Sequence, residues 1–487
     1  MGIHQFHKWL GETYPNCIKP RKNRKYNHIY IDLNFMLHLA IYKSKNERDF
    51  LIHLYNSLDN IIGSYLAIES ITIAVDGPSP YSKINLQRKR RLQMASNADV
   101  HTLNSLHLTP GTKFMINLTN HITNYVNTRR KWFKYREIEF YVYPTTLPGE
   151  GEIKLLEKLI ENGNKNLNAS HLIVGNDADL VVIGMGIINI HKIDVLIKTK
   201  TKYDTVQIDT LIKEVSNKVG NIKISNIDII KTLPLRQDFA VLSMMMGNDY
   251  LPKLGCGKFN SLWNAYEKTR KSTNRFLTKN CSFDIIFFKE FLGNIISSLS
   301  KHFQVLDLHK YMHYGEANIK NYLEGILWCL KMYSSGICPM NDYECICPQS
   351  PSPLFLLYYL AKNDTDITVP MSNVQPLSVY TCAILLLPKK AQYLLPKKYH
   401  SLIETELGPC YEMEECDTCH KFKNKIKTLN KTIYELRISD KSSVKESNKM
   451  KRFNDEYNIH KNVHNNDFTI DKIRNIVEKY DNSSSSG

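Results

Sequence analysis

Short apolar runs alternate with helical patterns of apolar residues through residues 1–290 of the chain. Four of these runs have fully apolar centres, which is typical of strands buried on both faces of a parallel sheet. They are "HIYIDLN", "ITIAVDG", "IEFYVYP" and "HLIVGND". Because strands and helices alternate, the pattern predicts an α/β domain with a mostly parallel central sheet and flanking helices.

The pattern of apolar positions changes twice after residue 290. Residues 291–405 are predicted to form a mainly helical second region that packs on the first domain. Residues 406–487 form a polar tail with one short amphipathic helix, whose heptad stripe consists of Phe422, Ile426, Leu429, Ile433 and Leu436. Two heptads bury little for a dimer, so this helix is expected to dock on the chain's own core, and the protein to be a monomer. Dimerisation through the stripe is the alternative.

The rest of the tail, including "SDKSSVKESNKMKR" and "NSSSSG", has the composition of a linker. On this interpretation, truncation after residue 440 leaves stability and activity nearly unchanged. Truncation after residue 405 also removes the docked helix, and it is expected to lower the melting temperature.

The overall composition is that of a soluble globular protein, with 43% hydrophobic and 23% charged residues. The chain has no run of about eighteen apolar residues and no signal-peptide pattern, which disfavours membrane and secreted classes. A cytoplasmic location is expected, with the nucleus as the alternative. The formal net charge of +16 indicates a polyanionic partner such as nucleic acid, although Lys- and Asn-rich chains also arise from the base composition of genes.

Eleven cysteines, odd in number and scattered, are typical of reduced thiols. One cluster contains Cys410, Cys416, Cys419 and His420. A structural zinc site usually has two well-spaced pairs of ligands, whereas Cys419 and His420 are adjacent. A loop of reduced thiols is therefore favoured over zinc.

Acidic residues follow the apolar runs where predicted strands end. Three of the four candidate strands end at or just before an acid: Asp32, Asp76 and Asp177. The full set of candidate acids is Asp32, Asp76, Glu150, Glu152, Asp177, Asp179 and Asp249. Any one of them alone is consistent with a helix cap or a solvated turn. Because ligands bind at the carboxyl ends of parallel strands, the set together indicates a site for hard cations such as Mg²⁺ or Mn²⁺.

Glu150 and Glu152 lie in the glycine-rich turn "PGEGE" at the start of a predicted helix. Gly149 and Gly151 allow the backbone to turn tightly, so that the flanking carboxylates can face the predicted metal site. The helix dipole also favours negative charge at this position. The alternative is that both glutamates only cap the helix.

A basic segment, "DGPSPYSKINLQRKRR", follows Asp76, and its prolines place the start of a helix near Ser82. At about 100° per residue, one face of this helix carries Lys83, Gln87, Arg90 and Arg91. Such a face is often merely solvated. Its proximity to Asp76 favours a pocket for a terminal phosphate.

Together these motifs resemble the Xrn-type 5′-to-3′ exoribonucleases, a branch of the wider 5′-nuclease and PIN-like superfamily that includes flap endonucleases. The matching segments are "IDLNFMLH", "AVDGPSPYSKINLQRKRR", "LTPGTKFM", "PGEGEIKLLE", "GNDADLVVIGM", "MMGNDYLPKL", "YLEGILWCLKMYSSGICP" and "LLLPKKAQYLLPKKYHSL". They extend to about residue 405. The chain is similar to compact versions of the family found in large DNA viruses.

The resemblance implies roles for individual residues. The seven acids fall on the family's metal-binding and catalytic positions, and the Lys83 to Arg91 set falls on positions that hold the substrate's 5′-monophosphate. His38 falls where the family stacks a histidine on the first base. The family's second stacking aromatic is a Trp, which is missing from "CPMNDYE", where Tyr343 is the candidate substitute.

The activity implied by the resemblance is hydrolysis of single-stranded RNA from a 5′-monophosphate end. Two Mg²⁺ ions, or Mn²⁺ in their place, are the implied cofactors, and 5′-mononucleotides are the implied products. Two alternatives remain at the level of sequence: a structure-specific DNA 5′ nuclease of the flap type, and a catalytically silent RNA-binding scaffold.

Overall fold

A seven-stranded mixed sheet forms the centre of the N-terminal part of the computed structural model. The structure describes residues 6–20, 24–97, 102–198, 203–219, 229–347, 349–363, 366–412, 417–438, 444–465 and 469–485. The strands of the sheet are β1 (Ile18–Pro20), β2 (Lys25–Asp32), β3 (Leu66–Ala74), β4 (Glu139–Tyr143), β5 (His171–Val174), β6 (Ile193–Lys198) and β7 (Tyr203–Gln207). A separate hairpin joins β8 (Thr278–Lys279) to β9 (Ser282–Phe283).

The sheet has the order β1-β7-β6-β5-β2-β3-β4. Strands β2 to β6 are parallel, whereas β7 runs antiparallel to both β6 and β1 at one edge. The four strands predicted from apolar runs are β2, β3, β4 and β5, so the mostly parallel α/β class is confirmed. Strands β1, β6 and β7 were not predicted.

Helices cover both faces of the sheet and make up most of the chain that follows it. Those of the first part are α1 (Phe6–Thr13), α2 (Asn34–Lys43), α3 (Glu47–Ser64), α4 (Tyr81–Asn97), α5 (Lys113–Arg130), α6 (Gly151–Lys165), α7 (Asp179–Gly186), α8 (Ile208–Val219), α9 (Ile229–Met244), α10 (Phe259–Thr273) and α11 (Ile285–Ser298). Those that follow are α12 (Leu308–Tyr314), α13 (Glu316–Ser335), α14 (Pro353–Lys362), α15 (Val379–Leu386), α16 (His400–Glu404), α17 (Gly408–Glu412), α18 (Asp417–Ile438), α19 (Val444–Asn465) and α20 (Ile470–Ser485).

Alternating residues of the central strands enter two apolar layers, one on each face of the sheet. Ile29 and Ile31 of β2 pack in the layer with α2, α3 and α5. Tyr30, between them, belongs to the opposite layer with α6 to α9, where its hydroxyl accepts a hydrogen bond of 3.0 Å from Asn162. The sheet is therefore buried on both sides, as its apolar runs predict.

The second region is largely helical, as predicted, and it shares a core with the first. Trp328 of α13 is fully buried in the same apolar cluster as Phe239 of α9 and Val182 of α7. Its indole N–H donates to the carbonyl of Met340 at 3.0 Å. In the parts of the chain that the structure describes, no strand follows Phe283, and no helix is long and apolar enough to cross a membrane.

The tail differs from its prediction as a linker with one short helix. Helix α18 contains the heptad stripe, but α19 includes much of the supposed linker "SDKSSVKESNKMKR". The Phe422 ring lies 6.5 Å from that of Phe453 and 6.1 Å from that of Tyr457. The stripe thus packs against the helix that follows it, because an exposed apolar stripe needs an apolar partner. It does not join the apolar clusters of the described core, so the expected docking on that core is wrong.

Helix α20 also contradicts the expectation that everything after residue 440 is dispensable. Ile470, Ile473 and Val477 are buried in a cluster with residues of α15. The hydroxyl of Tyr81, the first residue of α4, donates to Asp471 at 2.9 Å. The last helix is therefore part of the core that supports α4.

A chain ending at residue 468 is expected to unfold at a temperature several degrees lower than the full chain. Each buried Ile or Val side chain contributes about 1.5–3 kcal/mol, and losses of a few kcal/mol shift the midpoint by that much. Calorimetry would measure the change. In the full chain, Ile473→Ala should act in the same direction, while Asn475→Ala on the exposed face of α20 should leave the midpoint unchanged. Equal midpoints for the two variants would contradict docking.

Candidate active site

Six of the seven candidate acids follow the carboxyl ends of strands or lie at the start of the helices beyond them, whereas Asp249 lies in the loop after α9. Asp32 ends β2, Asp76 lies two residues past β3, and Asp177 lies three residues past β5. Since β2 pairs with β3 on one side and β5 on the other, these acids lie at one edge of three adjacent strands. The chain order reverses direction beside β2, at the point where open α/β sheets form their ligand crevice.

The "PGEGE" turn brings Glu150 to this edge without using it as a helix cap. Glu150 occupies the N-cap position of α6, yet its side chain makes no capping hydrogen bond and instead accepts one of 2.5 Å from Lys83. The helix-cap alternative is therefore wrong for Glu150.

Both glycines of the turn are required by its geometry. Gly149 has a φ of +95°, a left-handed conformation that favours glycine. The backbone N–H of Gly151 donates to Asp76 Oδ1 at 2.7 Å, and a Cβ there would lie 2.8 Å from Asp32 Oδ1. The close approach of backbone and carboxylates thus explains the "GEG" spacing.

Burial and mutual repulsion act together on the acids. Burial and the charge of Asp76 raise the pKa of Asp32 to about 8. The pKa of Glu152 is raised well above its usual value by burial, Glu150 and Asp179, and that of Asp179 by burial, Asp177 and Asp249. Several carboxylates thus share one poorly solvated space, which is unfavourable unless positive charge is present.

Part of that positive charge comes from α4. Lys83 Nζ lies 2.5 Å from Glu150 Oε2 and 3.1 Å from Asp249 Oδ2, and Arg90 contacts Asp249 at 2.9 and 3.3 Å. Burial alone would raise the pKa of Asp249, but Lys83 and Arg90 lower it to about 2. The structure thus places the predicted basic face directly against the acids.

The other two members of the predicted phosphate set lie on the same face of α4 with different partners. Gln87 accepts a hydrogen bond of 3.4 Å from Ser79, in the loop after Asp76. Arg91 donates from Nε to Thr109 at 2.7 Å, and burial lowers its pKa to about 10. Arg88 points the other way, where it donates to the carbonyl of Leu385 and anchors α4 to the second region.

The carboxylates fit a hard cation by their chemistry, although they do not form a ready-made metal cage. Within the described ranges, no group of three or more His, Cys, Asp or Glu side chains is placed to hold a metal ion. All the donors are carboxylate oxygens, the type that Mg²⁺ and Mn²⁺ prefer. Glu150 Oε1 is buried and, within the described part of the chain, makes no hydrogen bond. Buried charges of this kind are those that a cation would neutralise.

The two predicted stacking residues have different outcomes. His38 lies on the exposed side of α2. The proposal for Tyr343 is wrong. Its side chain is 2% exposed, it stacks on Trp328 with ring centroids 4.9 Å apart, and its hydroxyl donates to Asn321 O. Tyr343 fills the core and cannot stack on a base.

Two residues that hold the site together were missed by sequence reasoning. Asn34 donates from Nδ2 to Asp32 Oδ1 at 2.9 Å and accepts from the backbone N–H of Asp76 at 3.3 Å. Lys154 is buried and donates to the carbonyls of Val75 and Pro144 at 2.8 and 2.9 Å, and burial lowers its pKa to about 8. Asn34 had a signal, since it stands two residues after a strand-ending acid. Lys154 had no such signal, apart from its position one helical turn after Glu150.

The possible zinc cluster lies partly outside the described residues. Cys410 and Cys419 are buried, but Cys416 and the side chain of His420 are not described. The described cysteines form no disulfide, which agrees with reduced thiols. Zinc at this cluster stays an open alternative.

Comparison with known proteins identifies relatives of the first part of the chain. Residues 1–198 match the family model described as "XRN 5'-3' exonuclease N-terminus". The 5'-3' exoribonuclease 1 of Schizosaccharomyces pombe is 27% identical over 213 residues, covering 38% of this chain and 16% of that protein. Human 5'-3' exoribonuclease 1 is 26% identical over 214 residues, covering 38% of this chain and 12% of that protein.

The similarity is limited in extent. The chain matches a sixth or less of the length of both exoribonucleases. Among solved structures, the catalytic core of Rad2 in complex with DNA substrate is similar with a TM-score of 0.36 and 14% identity, covering 74% of this chain and 94% of that one.

Proposed function

We propose, from the premise that residues 1–198 form an XRN 5′-3′ exonuclease N-terminal domain, that this protein is a 5′-to-3′ exoribonuclease. Its substrate is single-stranded RNA with a 5′-monophosphate, and its products are 5′-mononucleotides. The observation that carries the proposal is the contact of Lys83 and Arg90 with Glu150 and Asp249. A phosphate-binding face therefore adjoins an acidic site, which suits cleavage one nucleotide from a bound end.

The basic face of α4 binds the terminal phosphate. Lys83 is a compact charge, while Arg90 offers two parallel N–H groups, a geometry suited to phosphate oxygens. In the structure both side chains are paired with carboxylates, so substrate binding requires them to exchange those partners for the phosphate. Gln87 and Arg91 lie farther along the same face and orient the phosphate from the side.

The carboxylates are the residues that would hold two Mg²⁺ or Mn²⁺ ions. When bound, such ions supply activation of a water molecule and neutralisation of the charge that develops on the scissile phosphate. Asn34 holds Asp32 in place, and the Gly151 N–H holds Asp76. The exposed His38 would stack on the first base, which would provide affinity without sequence preference.

One comparison of substrates tests the proposal. Single-stranded RNA, single-stranded DNA and a DNA flap, equal in length and 5′-phosphorylated, are incubated with the full chain in magnesium and in chelator. We expect mononucleotide release from RNA alone, and only with magnesium. Preferred cleavage of the flap would favour the DNA nuclease. RNA binding without hydrolysis under any condition would favour the silent scaffold.

A further inference from the structure

An exposed basic and aromatic segment lies between α5 and β4, away from the acids. This basic-aromatic turn comprises residues 129–136, "RRKWFKYR". The Phe133 side chain is 87% exposed and that of Trp132 is 43% exposed. Four exposed cations surround them, and within the described residues these make no ion pair: Arg130, Lys131, Lys134 and Arg136.

The Trp132 ring is held in place by its neighbours. Asp59 accepts a hydrogen bond of 2.8 Å from Arg129 Nε, and the Arg129 guanidinium then lies 4.5 Å from the centre of the Trp132 ring. On the same turn, the buried Tyr135 stacks on Trp132 with centroids 6.2 Å apart and planes at 21°. An exposed ring that is already oriented loses little conformational entropy when a flat partner stacks on it.

The turn lies at the opposite end of the sheet from the acids. It precedes β4, whose first residue, Glu139, pairs with Ser70, while Asp76 lies beyond the other end of β3. Asp76 stands six positions after Ser70, and at about 3.3 Å per residue the separation is roughly 20 Å. The turn is therefore not part of the catalytic site.

Lys134 lies 5.6 Å from the centre of the Trp132 ring, and Arg136 lies 5.9 Å from that of Phe133. Aromatic rings among cations are the composition of single-stranded nucleic-acid sites, where bases stack on the rings and cations follow the phosphates. Membrane-binding segments also combine aromatic and basic residues, but they add an apolar face. The exposed neighbours here, Asn127, Thr128 and Glu137, are polar. The observations therefore favour a nucleic acid over a lipid surface.

We propose that the basic-aromatic turn is a second binding site for single-stranded RNA, separate from the site that binds the 5′ end. It contacts a part of the substrate that lies 3′ of the nucleotide being removed. This inference rests on the proposed function for the identity of the nucleic acid. Its consequence is that long RNA binds more tightly than short RNA, with no difference in the chemical step.

Binding without catalysis tests this site first. The probe is an RNA of about 30 nucleotides with a 5′-hydroxyl, in chelator, followed by fluorescence anisotropy; this length exceeds what one binding groove covers. Phe133→Ala should weaken binding roughly tenfold, the loss typical of one stacked base. Lys131→Gln with Lys134→Gln should lower the slope of log K against log salt by about 0.7 per cation.

Matched variants on another exposed surface serve as controls. Phe303 is 63% exposed and Lys301 is exposed, and neither lies on the turn. Phe303→Ala and Lys301→Gln should leave RNA affinity unchanged. The inference would be overturned if the turn variants bound RNA with the affinity and salt slope of the unmodified chain. It would also be overturned if these variants lost binding to phosphatidylserine vesicles but kept binding to RNA.

Hydrolysis then separates failure of this inference from failure of the proposed function. With 5′-phosphorylated RNA, Phe133→Ala should raise KM for the long RNA, leave kcat unchanged and leave cleavage of a trinucleotide unaffected. If the unmodified chain and the Phe133→Ala variant both hydrolysed long RNA with equal KM values, the second site would be refuted and the exoribonuclease would stand. Turn-dependent RNA binding by a chain that hydrolyses nothing would support the second site and refute the exoribonuclease.

Discussion

Asp177→Ala and Glu150→Ala are each expected to abolish RNA hydrolysis while RNA binding persists. Each substitution removes one carboxylate from the acidic site and leaves the fold of α4 and the exposed basic surfaces in place. The loss of several kcal/mol of charge stabilisation in the transition state corresponds to a rate reduction of roughly a thousandfold or more. Mononucleotide release from 5′-phosphorylated RNA measures the rate, and fluorescence anisotropy measures binding.

The control for this prediction is Glu157→Ala. Glu157 is an exposed acid of α6, the helix that begins at the "PGEGE" turn, so its removal changes the net charge equally without altering the site. Its rate should match that of the unmodified chain. The double variant at positions 150 and 177 should retain less than about one per cent of the rate, because the loss of metal ligands removes most of the charge stabilisation in the transition state. A higher residual rate would show that the assignment of these acids is wrong.

Arg90→Ala is expected to reduce the preference for monophosphorylated RNA by about tenfold to a hundredfold. The substitution removes charge-assisted hydrogen bonds to the terminal phosphate, at about 1.5–3 kcal/mol. RNA with a 5′-hydroxyl makes no such contact, so its slower cleavage should change little. Capped and triphosphorylated RNA should resist both proteins, because a pocket that closes around one phosphate would exclude their extra bulk. The ratio of kcat/KM values between ends measures the effect.

Lys89 supplies the matched control on the same helix. It lies one position before Arg90 but is exposed on the other side of α4, so Lys89→Ala removes an equal charge without touching the site. The preference for a monophosphate should be unchanged in this variant. Equal cleavage of all four kinds of end by the unmodified chain would argue against a terminal-phosphate pocket and in favour of an endonuclease.

Predictions from periodic patterns agreed with the structure for elements that a few consecutive residues are enough to identify. Strands β2 and β5 were visible as apolar runs because parallel strands covered on both faces bury every side chain. Two of the three unpredicted strands have weak signals. Strand β7, "YDTVQ", is mostly polar, and β1 has only three residues at the sheet edge. Strand β6, "IDVLIK", is an apolar run that the strand prediction did not include.

The tail shows where composition misled the prediction. The segment at residues 444–452 is rich in Lys and other polar residues, yet it forms the start of helix α19, which packs beside the apolar stripe of α18. Helix α20 ends in serines, but three of its apolar residues close the cluster beneath α15. A polar composition reflects the exposed face of a helix. A few apolar positions on the other face are enough to pack that helix against its neighbours.

Tyr343 shows that sequence alone also fails to distinguish a buried aromatic residue from one that faces the site. An aromatic residue near a substrate channel and one in a core have identical sequence signals. Only packing against Trp328 decided that Tyr343 belongs to the core. The support provided by Lys154 was likewise hidden, since its hydrogen bonds to carbonyls outside its own helix leave no periodic pattern.

The sequence by itself determined the α/β class, the strand-ending acids, the glycine turn and the basic face of α4. Each of these follows from local rules: period, strand ends, backbone freedom at glycine and spacing along a helix. The tertiary structure alone decided that Lys83 and Arg90 pair with Glu150 and Asp249 and that the last helix supports α4. Those contacts join residues far apart in the chain. Their energies depend on burial and on distances in space, which the spacing of residues along the sequence does not determine.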